Sequence, residues 1–343
     1  MCIRDSCNIT NSYDGQWCYL SDKRISVGYP HCPKLMGNLT FPNDKNVKKY
    51  SSGNITVGYF VPSSLCKYIS IIDSISIIDN KLQNKSIIFI GDSLGGHQYT
   101  CLSCEIEFIS RKFHLPIRTE IKYHYDVTLR TDEPCHPACI NNATFLHEQI
   151  NKFPNSCIVC PGNNVTILLS YLLLLSLLLL DGKKPESNTS HPFHWKWAVD
   201  EDNTGIIIFN SGAWYSPIFG FGESIKGTKK YKETLLQIIP IIRSYIEKGI
   251  IVIWFCLPPS DPKFKEYAWD EFYNRNEIAK NLLEPEKVII YNPNNATYNR
   301  YITDPSASVD LLHWRGPGIT TIPSFISRTL LHTIAKHILH DNR

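Results

Sequence analysis

Three residue types suited to one chemistry, a serine, an aspartate and a histidine, stand in this chain beside apolar runs. Ile87-Ile88-Phe89-Ile90 leads into Gly91-Asp92-Ser93. A serine just past such a run serves as a nucleophile when a base takes its proton. Asp310-Leu311-Leu312-His313-Trp314 offers that base. An Asp and a His three apart can meet across one turn, the carboxylate accepting from imidazole Nδ1 while Nε2 faces outward, which fixes the tautomer and stabilises the imidazolium. A third stretch, Ile206-Ile207-Ile208-Phe209-Asn210-Ser211-Gly212-Ala213-Trp214-Tyr215, ends an apolar run in Asn-Ser-Gly. There an amide and exposed backbone N–H groups can stabilise a tetrahedral oxyanion beside the N–H of Ser93. The same residues also suit a tight turn closed by an Asx hydrogen bond. Gly-Asp-Ser alone is common in turns, and an Asp before a helix is often only an N-cap. What singles these residues out is their joint order, Ser then Asp then His, each at the end of a strand.

The elements that must position them alternate. Four apolar residues, three of them β-branched, run without alternation before Gly91, the pattern of a strand buried on both faces of a parallel sheet. Five core strands are expected: 86–90, 165–172, 205–209, 249–255 and 287–291. Helical spacing of apolar residues marks 229–248, 269–283 and 319–339, and residues 70–82 suit a helix leading into the first core strand. Pro240 predicts a kink or break in the first of these. Strand alternating with helix predicts an α/β fold with a parallel sheet and right-handed crossovers. In such sheets ligands sit beyond the carboxyl ends of the strands, and a helix starting at Ser93 would favour negative charge there.

Composition narrows the class. With 43% hydrophobic and 20% charged residues over 343 positions, the chain can bury a sizeable core and is not disordered. A net charge of +3 without a long basic run gives no footprint for nucleic acid. Twelve cysteines are many for a cytosolic enzyme. Cys101-x-x-Cys104 and Cys157-x-x-Cys160 have a spacing that zinc can use, but eight Asn-x-Ser/Thr sequons favour the secretory lumen and disulfides instead. Cys256, inside a strand-like run, reads as a free buried thiol. The first residues lack an apolar signal region, so a luminal protein would have its true start or a membrane anchor upstream. The apolar run 167–180, at 14 residues, is short of the ~20 that span a membrane and reads as a buried strand leading into a loop or helix, with a membrane-associated segment as the alternative.

Residues 1–83 read as a cysteine-rich N-terminal subdomain of short strands (Gln16–Tyr19, Val57–Val61) stapled by disulfides, and 84–343 as the catalytic domain. Residues 104–161 read as a cysteine-bearing insertion. His191 and His194, with Trp195 and Trp197, lie in a polar aromatic loop and either pack or line a groove.

Gly91-Asp92-Ser93, Asn210-Ser211-Gly212-Ala213-Trp214 and Asp310-Leu311-Leu312-His313-Trp314 with Gly316-Pro317-Gly318 resemble the three signature blocks of the PC-esterase proteins. These include the trichome-birefringence-like polysaccharide O-acetyltransferases of the SGNH/GDSL superfamily. Cys7 through Gly15-Gln16-Trp17 also resembles that family's cysteine-containing N-terminal segment. The resemblance implies an SGNH-type α/β domain with a disulfide-rich cap, working in the Golgi lumen or outside the cell without metal or cofactor. Ser93 would be the acyl-accepting nucleophile, His313 the base and Asp310 its orienting acid. Asp92, Gly95, Asn210, Gly212 and Trp214 would bind the oxyanion and substrate. By that resemblance the substrate would be a glycan or polysaccharide and its reaction partner an acetyl donor. Transfer to a sugar hydroxyl and hydrolysis by water share this chemistry, and a glycan-binding protein that has lost the reaction would share the fold. The chain departs from the plant pattern in two places. Leu94-Gly95-Gly96-His97-Gln98 stands where Leu-x-Arg-Asn-Gln is usual, and Arg315 where a cysteine is.

Overall fold

The computed structural model describes residues 15–26, 54–62, 68–82, 85–91, 93–113, 121–124, 168–173, 203–215, 224–259, 269–308, 313–316, 318 and 321–341. Six strands form one sheet: β3 (Ser86–Gly91), β4 (Ile121–His124), β5 (Leu168–Leu173), β6 (Thr204–Asn210), β7 (Ile251–Phe255) and β8 (Ile289–Tyr291). Every pairing in it is parallel, in the order β4-β5-β3-β6-β7-β8. All five expected strands are present with ends moved by a few residues. The sixth, β4, is an edge strand of sequence Ile-Lys-Tyr-His inside the stretch read as an insertion.

Burial on both faces explains the unbroken apolar runs. All six residues of β3 and all seven of β6 are buried. Alternate residues face opposite layers, as the strand period of two requires. Ile87, Phe89, Ile206 and Ile208 pack with α1 (Ile71–Leu82), α2 (Ser93–Lys112) and α6 (Ile322–Asp341). Ile88, Ile90, Ile207 and Phe209 pack instead with α3 (Ser224–Glu247) and α4 (Trp269–Leu283). The result is a sheet between two layers of helices. Helix α3 passes through Pro240 without the break the sequence suggested. The proline is exposed, and so is Leu236, the residue whose carbonyl loses its helical partner, so water rather than the core meets the gap.

The strand order reverses at β3. The chain leaves β3 for β4 and β5 on one side, then crosses to β6, β7 and β8 on the other. Such a switch point opens a crevice at the carboxyl ends of the central strands, here the ends of β3 and β6. Gly91 lies opposite Asn210 in that register, and a Cβ on it would stand 2.9 Å from the Asn210 carbonyl oxygen. Only glycine fits so close to the neighbouring backbone.

An antiparallel hairpin of β1 (Gly15–Ser26) and β2 (Asn54–Pro62) covers α5 (Asn294–Thr303). Trp17 Nε1 donates to the Ala296 carbonyl at 2.7 Å, and its ring meets Phe60 and Phe325 edge-on at 5.8 and 5.5 Å. The buried Arg300 guanidinium lies over the rings of Trp17 and Tyr19, at 5.3 and 5.1 Å, and donates to Thr56 O. Aromatic and cation–π packing thus holds the hairpin down. Of the cysteines expected to staple this region, Cys18 is free, and Cys2, Cys7, Cys32 and Cys66 lie outside the described residues. Elsewhere Cys104 is disulfide-bonded, while Cys101 and Cys256 carry free, buried thiols. The Cys101-x-x-Cys104 pair is therefore not a zinc pair. No helix among the described residues is long and apolar enough to cross a membrane.

Candidate active site

Helix α2 begins at Ser93, directly after β3, and runs for 20 residues. Its first N–H groups have no helical partners, and its dipole adds positive potential at the serine. Asp92, Asp310 and the side chains of Ser93 and Trp214 lie outside the described residues. His97 and Gln98, the next turn of α2, are described, and they connect this helix to the other end of the chain.

The His97 ring stands 6.3 Å from the His313 ring, at 83° to it. His313 is buried, and its backbone is fixed from behind. Ser308 Oγ donates to the His313 carbonyl at 3.0 Å, Ser308 and Trp314 form an antiparallel bridge, and Arg315 N donates to Ala307 O at 2.6 Å. The residues before α6 are thus a bridged loop with His313 at a bend. The sequence led one to expect this histidine at the end of a strand, but α5 (Asn294–Thr303) and a 3-10 turn, Pro305–Ala307, stand between β8 and His313.

Gln98 ties the two together. It is buried, and its Nε2 donates to Pro323 O at 3.2 Å and Ser327 Oγ at 2.8 Å, in the first turns of α6. The loop carrying His313 rests on the same turns. A Cβ on Gly316 would meet the Pro323 ring at 2.7 Å, and Gly318 N donates to Ser324 Oγ at 3.0 Å. The start of α2 and the His313 loop are therefore both seated on the start of α6.

Cys101, one turn beyond His97, has its Sγ 3.6 Å from His97 Nε2. Burial, and then the charge of Glu105, push its thiol well above the usual range, so it stays protonated. Glu105 is itself buried and meets Arg328 Nε at 2.5 Å. Among the described residues no three His, Cys, Asp or Glu side chains are grouped as metal ligands.

Asn210, at the end of β6, is 1% exposed. Its Nδ2 donates to Phe255 O at 2.9 Å, which ties the carboxyl ends of β6 and β7. Its Oδ1 has no hydrogen-bond partner among the described residues and lies 3.5 Å from where a Cβ of Gly95 would stand. The start of α2 thus lies against Asn210 at ordinary van der Waals distance. One amide proton of Asn210 is used in joining strands, and the second is left for other contacts. Gly212 has φ +131° and sits over Leu257, whose Cδ1 a Cβ there would meet at 2.8 Å. The chain then makes a short 3-10 turn, Ala213–Tyr215.

The structure thus brings Gly95, Asn210 and Gly212 to one sheet edge, with the backbone of Ser93 beside them and His313 across from His97. His191, His194, Trp195 and Trp197 lie outside the described residues. Sequence reasoning missed Gln98, Arg275 and Asn276. Gln98 stands in the quoted motif and could have been weighed there. Arg275 and Asn276 lie in a polar helix, where nothing local separates a buried arginine from a solvated one.

No family model matches the chain, and no curated protein matches it. Among solved structures the chain is similar to a lipase/acylhydrolase from Enterococcus faecalis, at 11% identity over 74% of this chain and 96% of that one, with a TM-score of 0.36. It is also similar to a carbohydrate acetylesterase from Sinorhizobium meliloti, at 12% identity over 75% and 99%, with a TM-score of 0.35. A third is a catalytic mutant of an acetylxylan esterase from Geobacillus stearothermophilus, at 10% identity over 74% and 94%, with a TM-score of 0.35.

Proposed function

We propose that this protein is a serine-dependent acyl-transfer enzyme that moves acetyl groups on glycans through an acyl-serine intermediate. Ser93 Oγ attacks the carbonyl carbon of an acetyl ester while His313 takes the hydroxyl proton, and Asp310 holds the imidazole in the required tautomer. The tetrahedral oxyanion is met by backbone N–H groups at the start of α2 and in the turn after β6. Collapse breaks the ester bond, and His313 returns its proton to the leaving alkoxide. A second hydroxyl then attacks the acyl-serine, gives its proton to His313, and Ser93 recovers it. When that hydroxyl belongs to a sugar the outcome is transfer. When it belongs to water the outcome is hydrolysis.

The observation that carries this reading is the 6.3 Å approach of the His97 and His313 rings at the switch point of the sheet. It brings the helix that starts at Ser93 against the loop that carries the histidine of the Asp-x-x-His motif. The glycan substrate rests on the resemblance of the three motif blocks. The secretory lumen as compartment rests on the eight sequons, with the Cys104 disulfide in agreement.

The test is hydrolysis of a chromogenic acetate by the purified, oxidised protein, beside Ser93→Ala and His313→Ala. Activity lost in both folded variants supports the proposal. A parent that neither cleaves the acetate nor is captured at Ser93 by a fluorophosphonate overturns it in favour of a glycan-binding protein.

A further inference from the structure

Arg275 is a fully buried cation on α4 that the acyl-transfer scheme does not use. A buried guanidinium is costly unless its charge is paired and its donors are occupied. Burial lowers its pKa, and the charge of Glu271 opposes that effect. Its contacts show where it acts. Nη1 donates to Gly212 O at 3.1 Å, and Nη2 donates to Tyr215 O and to Glu271 Oε2, each at 2.9 Å. The two carbonyls belong to the ends of one turn, since Tyr215 N itself donates to Gly212 O at 3.3 Å. The guanidinium fork spans the turn after β6.

That grip has a direction. In a trans peptide the N–H points opposite to the C=O. With the Gly212 carbonyl held toward Arg275, the Ala213 N–H is turned away from α4. The next residue of the helix fixes the floor. Asn276 Oδ1 accepts from Leu257 N at 2.8 Å and its Nδ2 donates to Leu257 O at 3.0 Å. Leu257 in turn fills the space under Gly212, which holds φ +131°. Two successive side chains of α4 thus fix the turn, one through its carbonyls and one from beneath.

We propose that Arg275 is a positioning residue of the acyl-transfer site, holding the Gly212–Tyr215 turn so that its outward Ala213 N–H meets the oxyanion formed on Ser93. This rests on the acyl-transfer reading above. Lysine keeps the charge but is a point donor and does not bridge two carbonyls.

The experiment compares the parent with Arg275→Lys, Glu271→Gln and Ala279→Gly in steady-state hydrolysis of a chromogenic acetate, with active sites counted by fluorophosphonate titration. Arg275→Lys is expected to lower kcat per active site by about 10- to 100-fold, the scale of a displaced oxyanion donor, with KM changed less than about threefold. The rate of fluorophosphonate capture falls in parallel, because the phosphonyl oxygen occupies the same position. Glu271→Gln loosens the guanidinium and moves kcat the same way by less, and serves if Arg275→Lys folds poorly. Ala279→Gly weakens the same helix one turn away and leaves kcat per active site unchanged. An Arg275→Lys enzyme with the parent's kcat, or a loss matched by Ala279→Gly, overturns the inference while the acyl-transfer reading stands. A parent without Ser93-dependent turnover overturns both.

Discussion

The imidazoles of His97 and His313 stand 6.3 Å apart and nearly perpendicular, although the residues come from distant parts of the chain. An α-helix turns every 3.6 residues, so His97 lies about one turn beyond Ser93 on the same side of α2. Replacing Ser93 or His313 by alanine is expected to lower ester turnover by on the order of 1,000-fold or more, since such residues act as a unit. His97→Ala, which empties the space against the His313 ring, is expected to cost about tenfold in kcat through misplacement of the base. Steady-state kinetics on the three variants measures both. Full activity in His97→Ala would detach this contact from the chemistry.

Low pH is expected to weaken the fold through His332. This α6 histidine accepts a hydrogen bond from Ile69 N at Nδ1, 3.0 Å away, and packs on the Tyr68 ring. Burial, and then Lys336, lower its pKa to about 4. The unfolded chain, with a histidine pKa of about 6.5, binds the extra proton first, so stability is complete above that pH. It falls as pH drops from about 6.5 toward 4, by up to about 1.4 kcal/mol per pH unit and on the order of 3 kcal/mol in all. Urea midpoints between pH 7 and 4 should show this slope in the parent and a smaller one in His332→Gln. Equal slopes would assign the acid sensitivity elsewhere.

Gly91→Ala tests the close approach of β3 and β6. The added Cβ would meet the Asn210 carbonyl oxygen at 2.9 Å and the Asn210 Cβ at 3.2 Å, both fixed by the sheet. The expected cost is about 1–3 kcal/mol of unfolding free energy, read from denaturant titration, because neither strand can swing aside. A change under about 0.5 kcal/mol, the usual range of surface substitutions, would contradict the packing described.

Thiol labelling should discriminate sharply among the free cysteines of the described residues. Half-buried Cys18 is expected to react with iodoacetamide in the native protein. Cys101 and Cys256 are expected to be spared, because both are buried and burial raises both thiols far above neutral pH. Mass spectrometry before and after denaturation gives the answer. Native labelling of Cys101 would mean that the helix beside His97 opens readily.

The parts of this fold legible in the sequence were those whose cause is local. Ile87 to Ile90 announces a strand covered on both faces, and Trp269 to Leu283 announces a helix within its observed bounds. β4 went unseen because its four residues, Ile-Lys-Tyr-His, contain no apolar run. Pro240 was read from its backbone chemistry, whereas solvent on that face of α3 decided the outcome. Arg275 was invisible for a different reason. Its role depends on which loop α4 reaches, and that is settled by strand order rather than by neighbours in sequence. Gly95, Asn210 and Gly212 were picked out from their motifs and lie together at one sheet edge, but the use of Asn210 to join β6 to β7 was not legible.

The docking of the N-terminal hairpin bears on how the protein is made. Trp17 hydrogen-bonds to Ala296, 279 residues downstream, and packs on Phe325 of the last helix. During synthesis the hairpin emerges long before any surface exists to receive it, and chains grow at roughly 5–20 residues per second. For the tens of seconds in between, Trp17, Phe60 and the stacking partners of Arg300 have only the solvent or a chaperone to cover them. Completion of the C-terminal helices, rather than of the sheet, is the event that seals the molecule. A premature stop after β8 would release a chain with its central strands made and its hairpin undocked.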